Sequence, residues 1–247
     1  MNDIRKCKIL GVNVSCLDMN KLLDYIRINL KRIKGEYICV TNVHTLVTSY
    51  DDKEYRNVQN EAILVLPDGA PVAEECRRRG YGETYRTTGP DFLNEILKIS
   101  NEYGYKHFFY GSTEETLAKL KKSISDKYNN VDLVGMYSPP FRKLTEEEDN
   151  NVINMINESG ADFLWVGLGA PKQEYFMKEH QSKINSLMVG VGAAFDYVAG
   201  NIKRAPKWMQ KCSLEWLYRL IQDPVRLFNR YLYTNTKFIV LANILRK

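Results

Sequence analysis

The chain has 247 residues, 44% apolar, 26% charged and 11% aromatic, which is ordinary for a folded soluble protein with one large core or two modest ones. Its apolar runs, such as 187–195 and 238–242, are too short to span a bilayer. The opening MNDIRKCKILGV carries no signal-peptide pattern, so a cytoplasmic location is expected. Five cysteines without C-x-x-C spacing and only three histidines speak against a zinc site and for reduced, buried thiols.

In chain order the pattern alternates. Strand-like runs fall at 8–14, 37–40, 62–66, 107–110, 131–137, 163–166 and 187–191, with helical patterns between them. Asp18 can cap a helix over 19–32, with Leu22, Leu23, Ile26 and Leu30 on one face. Further helices are predicted over 91–103 and 113–128, and Thr145 with Glu148 forms a T-x-x-E capping box. Pro71, Pro90 and Pro171 each sit where a helix would begin. This order predicts an α/β, Rossmann-like layered fold with a mostly parallel sheet, whose ligands gather at the carboxyl ends of the strands.

After Gly200 the alternation stops, and 206–247 reads as short helices broken at Pro224. Residues 201–247 carry ten Lys/Arg against Glu215 and Asp223, a net of +8, which leaves 1–200 at −3. The expected division is therefore an α/β core over 1–200 and a basic, aromatic helical appendage over 201–247. Such a tail suits an anionic partner: phospholipid, nucleic acid or a phosphorylated substrate.

The segment DFLWVGLGAPKQEYF at 162–176 is the most informative stretch. A buried strand ends in Gly167-Leu168-Gly169 and feeds a helix start at Pro171, which makes an anion-binding corner. Gln173 there offers both a donor and an acceptor. The third glycine of a dinucleotide fingerprint would fall at Lys172, which disfavours a nicotinamide oxidoreductase.

Other polar turns follow strand ends directly. Asp68, in Pro67-Asp68-Gly69, can act as a base or simply cap the helix behind it. Asn42 and His44 can hold a sugar or phosphate, or serve as ordinary first-turn residues. Asp196 can bind sugar hydroxyls or be a plain turn residue, and Arg86 can brace a phosphate or be a surface charge. No P-loop, H-E-x-x-H or G-x-S-x-G pattern is present, and no D-x-D pair of the kind that holds a metal against a nucleotide diphosphate.

Taken together, these motifs resemble the WecG/TagA/CpsF glycosyltransferases (glycosyltransferase family 26). The resemblance runs in order through TNVHTLV (41–47), LPDGAPV (66–72), GPDF (89–92), FFYGST (108–113), YSPPFRKLTEEED (137–149), VGLGAPKQE (166–174), VGVGAAFDYVAG (189–200), RAPKWMQ and LEWLYRL. It implies an inverting transfer of a sugar from a UDP-sugar to an undecaprenyl-diphosphate-linked sugar. The reaction would take place at the inner face of the cell membrane, in surface-polysaccharide or wall-polymer synthesis, and without an obligatory metal or other cofactor.

By the same resemblance Asp68 is the base, Asn42, Gln173 and Asp196 line the pocket, and Arg86 faces the departing diphosphate. The appendage engages the membrane and helps close the site. There Arg219, Arg226 and Arg230 have spacings of seven and four, which share one helical face if the helix survives Pro224. One departure is Val40 where many members have threonine, and Thr41 is the candidate to supply that hydroxyl. A homo-oligomer is left open. The alternatives are an N-acetylmannosaminyltransferase of teichoic-acid linkage-unit synthesis and, from another class, a nucleotide- or nucleic-acid-binding protein using the basic tail. The first of these keeps the chemistry. The second leaves the strand-end polar cluster without a purpose, so nucleic acid is not an expected partner.

Overall fold

The computed structural model describes residues 4–245; Arg246 and Lys247, counted in the charge of the tail, lie outside the described residues. Two strands, β1 (Lys6–Ile9) and β2 (Val12–Ser15), form an antiparallel hairpin. The 8–14 run expected as one strand is thus two. Leu10 and Gly11 both take positive φ, +47° and +89°, the geometry of a tight two-residue hairpin turn.

Helix α1 (Met19–Ile33) follows, capped by Asp18 as its sequence indicates, with Leu22, Ile26, Leu30 and Ile33 inward. The main sheet then begins with β3 (Tyr37–Thr41), α2 (Val43–Asp51), α3 (Lys53–Glu61), β4 (Leu64–Pro67) and α4 (Ala70–Arg78). It continues through α5 (Gly89–Tyr103), β5 (Lys106–Gly111), α6 (Glu114–Lys127), β6 (Asp132–Tyr137) and α7 (Glu146–Glu158). It ends with β7 (Phe163–Gly167), α8 (Lys172–Glu179), β8 (Leu187–Gly190) and the short α9 (Ala194–Ala199). The six strands are all parallel, in the order β4-β3-β8-β7-β5-β6.

The strands carry no polar face because helices cover both sides. Tyr37, Cys39, Leu164 and Val166 point into one apolar layer, and Ile38, Val40, Phe163 and Trp165 into the other. Cys7, Cys16, Cys39 and Cys76 are buried free thiols as expected, whereas Cys212 is exposed. At the carboxyl edge, Gly111 lies at φ +120° against Gly167 of the neighbouring strand. A Cβ on Gly111 would stand 2.7 Å from the Gly167 carbonyl, so glycine alone lets β5 and β7 run this close to their ends.

The last segment forms α10 (Lys207–Lys211), α11 (Glu215–Gln222) and α12 (Pro224–Ile244). Helix α12 buries Leu227, Thr234, Phe238 and Ala242, and Phe238 and Ala242 join the core layer that holds Val43, Leu46 and Val72. Its opposite side leaves Val225, Phe228, Leu232, Ile239 and Ile244 exposed. No described helix is long and apolar enough to cross a membrane.

Candidate active site

Strand order places the polar turns side by side. β4 leads directly into Asp68, β3 into Asn42 and β8 into the turn at Gly192, while β7 ends at Gly167, all on the carboxyl edge of one sheet. The Asp68 N–H donates to the Thr41 carbonyl at 2.8 Å, which ties the first two turns together. Gly69, at φ +137°, is the N-cap of α4, and no side chain makes a capping bond there. Asp68 is therefore not the cap of the helix behind it, and its carboxylate is left for other partners.

Those partners come from three directions. The Thr87 N–H donates to the Pro67 carbonyl at 2.9 Å, laying the strand-like stretch 84–88 alongside the end of β4 and bringing Arg86 to Asp68. From α11 come Arg219 and Glu215; from α2, the N-cap Asn42. Burial pushes the Asp68 carboxyl above its usual value. Arg86 and Arg219 pull it back, Glu215 adds to the rise, and the Asn42 amide opposes it. The net shift is upward, the direction that makes a carboxylate a better proton acceptor.

Tyr197 of α9 and Tyr231 of α12 complete this enclosure. Both feel Asp68 and Arg219, burial raises the pKa of both phenols, and the Arg219 guanidinium stands 5.7 Å from the centre of the Tyr197 ring. Next to them, His44 is half-buried, and its Nδ1 is buried without a hydrogen-bond partner. Burial and, secondarily, Arg230 lower its pKa and keep it neutral.

Arg86 does not stand open. It pairs with Glu215, which also takes Arg204 at 3.5 Å, and Arg204 in turn forks onto Asp91 with one arm at 2.7 Å. Glu215, Arg204, Tyr197 and Tyr231 are not among the candidate site residues read from the sequence. Arg204 and Glu215 lie within the RAPKWMQ and LEWLYRL motifs, but nothing in those motifs tells that one residue reaches the other.

The three tail arginines are not on one continuous face. The chain stops α11 at Gln222 and restarts α12 at Pro224, so Arg219 belongs to a different helix from Arg226 and Arg230. Arg219 turns to Tyr197, Arg226 is exposed and pairs with Asp223 at 2.5 Å, and Arg230 lies near His44 and Tyr231.

The structure does not bring Thr41 into the open group. Its side chain is fully buried and its hydroxyl donates to Gln59 Oε1 at 2.6 Å; the Gln59 amide in turn donates to the Tyr55 hydroxyl at 2.9 Å. Gln173 is also buried. Its Oε1 accepts the Gly192 N–H at 3.0 Å and its Nε2 donates to Glu174 Oε1 at 2.9 Å, so both ends of the amide are used inside the protein. Asp196 is half-buried, with Oδ1 accepting from the Asn201 side chain at 3.1 Å. The 137–141 loop is held by Ser138 Oγ donating to the Ser112 carbonyl at 2.7 Å, and Phe141 projects from it into solvent.

A carboxylate without a capping duty, ringed by arginines at the carboxyl edge of a parallel sheet, is an arrangement for acid–base work beside an anion. The model of the glycosyl transferase WecG/TagA/CpsF family matches residues 7–247, nearly the whole chain. With that match and this sheet edge together, the chain belongs to the WecG/TagA/CpsF family and is a glycosyltransferase of polysaccharide synthesis.

Proposed function

We propose that the protein transfers a sugar, with inversion, from a UDP-sugar to a polyprenyl-diphosphate-linked sugar at an anionic membrane surface. The observation that carries this reading is Asp68: a carboxylate at a strand end, raised by burial, flanked by Arg86 and Arg219 and released from helix capping. Asp68 takes the proton from the acceptor hydroxyl. That oxygen attacks the anomeric carbon from the face opposite the diphosphate, and the bond from carbon to the diphosphate oxygen breaks. UDP leaves with the electron pair.

The departing diphosphate gains negative charge, and fixed cations aimed there lower the barrier. That work is assigned to Arg86, Arg219 and Arg230, with Arg86 exchanging its Glu215 partner for the diphosphate. Asn42 orients the base. The turn from Gly192 to Asp196 forms the nucleotide side, with Gln173 supporting it from beneath. The exposed apolar side of α12 and the basic residues around it suit a peripheral helix with its rings at headgroup depth.

The test is UDP release from a panel of UDP-sugars, with and without a lipid-diphosphate-sugar acceptor, in the presence of EDTA. Acceptor-dependent release with one donor supports the transfer and its metal independence together. Absence of UDP binding by calorimetry overturns the donor assignment.

A further inference from the structure

Glu174 is a charged residue with no exposed surface, on the first turn of α8, and the chemistry above makes no use of it. Its Oε1 accepts from the Gln173 amide at 2.9 Å, while its Oε2 is buried with no hydrogen-bond partner. An ionised carboxylate in that position would leave an acceptor oxygen bare in the core, which is costly; a carboxylic acid avoids the charge. The groups facing it are the Tyr55 hydroxyl from α3 and the Cys39 thiol from β3, neither of them cationic. From β8 comes Gly190, whose missing side chain makes room: a Cβ there would lie 3.0 Å from Gln173 Nε2. Burial accordingly lifts the Glu174 carboxyl to about 7, against smaller opposing effects from Gln173, its own backbone N–H and Tyr55.

The other end of the Gln173 amide holds the Gly192 N–H, at the start of the turn that carries Asp196 and leads into the helix bearing Tyr197. A chain of two hydrogen bonds thus runs from a buried, titratable acid to the backbone of the site. We propose that Glu174 is a positioning residue: buried as the neutral acid it accepts from the Gln173 amide and leaves that amide seated against Gly192, fixing the 191–196 turn. Its ionisation releases this turn, because the buried charge gains more from water reached by opening than from its stronger bond to Gln173. The functional consequence, weaker binding of the donor nucleotide as Glu174 ionises, rests on the assignment of that turn to the nucleotide side.

The experiment is amide hydrogen exchange at Gly192 in the full chain, corrected for intrinsic exchange rates, from pH 6 to pH 8. Calorimetric titration with UDP is run over the same range. The protonated fraction of a group titrating near 7 falls about tenfold between those values, so protection at Gly192 should fall about tenfold in the wild type. Glu174→Gln, which keeps an acceptor for Gln173 and cannot ionise, should hold the pH 6 protection throughout. Glu174→Ala should lose it at every pH. Protection that is independent of pH in the wild type, or that falls equally in Glu174→Gln, overturns the proposal. UDP affinity that follows the same curves supports the link to the donor. Protection that behaves as described without any UDP binding keeps the positioning role and removes the donor assignment instead.

Discussion

Arg86 and Glu215 are 129 positions apart in the chain and meet as an ion pair beside Asp68. The pair continues through Arg204 to Asp91, so α11 is latched onto the core by charges of alternating sign. Under the proposed function, a diphosphate bound at Arg86 would compete with Glu215 and so act on the latch.

Removing Glu215 leaves two half-buried guanidinium groups without their shared carboxylate. Glu215→Ala should cost about 1.5–3 kcal/mol, the usual worth of hydrogen bonds to charged groups. It should also speed limited proteolysis between α10 and α11. Unchanged proteolysis would mean that apolar packing alone holds the appendage. Acid should loosen the same latch. Burial works to raise the Asp91 carboxyl, but Arg204 and Thr88 hold it below its ordinary value. Its contribution is therefore present above the ordinary aspartate pKa and is lost as pH falls through the lowered one.

Asp68→Asn should reduce turnover by about 10²–10⁴, the range for loss of a general base, while UDP affinity changes little. In the wild type the rate should rise with pH through a value above that of an ordinary aspartate, because burial favours the protonated acid. Near-normal turnover in the variant would take Asp68 out of the reaction.

The Glu174 acid makes a separate prediction for stability. Its folded value of about 7 lies above its ordinary 4.5, so the folded state binds the extra proton between those limits. Stability from this group is full below the lower value and declines as pH rises to the upper one, by about 1.4 kcal/mol per pH unit. Denaturant melts across that window should show the decline in the wild type and a flatter profile in Glu174→Gln.

Thr41 tests a buried polar chain. Thr41→Val leaves Gln59 Oε1 without its donor and should cost about 1–3 kcal/mol in denaturant unfolding, whereas Thr41→Ser keeps the bond and most of the stability. Equal losses in both variants would point to methyl packing as the source.

The bare side of α12 is tested with vesicles. Phe228 and Leu232 are 56% and 59% exposed. Changing both to serine removes apolar surface available for insertion and should weaken binding to anionic vesicles by about tenfold or more. Co-sedimentation that is unaffected by the double variant would place the contact elsewhere.

Much of the framework was legible because local signals decide it. The Asp18 and Thr145 caps, the prolines at helix starts and the doubly apolar strands each act over a few residues, and the structure keeps all of them. The 8–14 run misleads because Leu10, which belongs to the turn, alternates with Val12 and Val14 as if in one strand, whereas the first strand buries Cys7 and Ile9 and the phase shifts by one across Gly11. Gln173 and Thr41 carry the right chemistry in the right turns, yet their polar atoms are spent inside the protein.

From the sequence alone came the layered α/β fold and the row of polar turns, since strand ends and glycine turns are written in adjacent residues; there position left Asp68 between base and helix cap, and only the family resemblance favoured the base. Tertiary structure alone decided that Glu215 neutralises Arg86, that Arg219 turns to Tyr197 while Arg230 lies by His44, and that Glu174 is sealed in the core beneath Gly192. Those outcomes depend on which distant groups share a small volume of low dielectric, and charge and burial act there through space rather than along the chain.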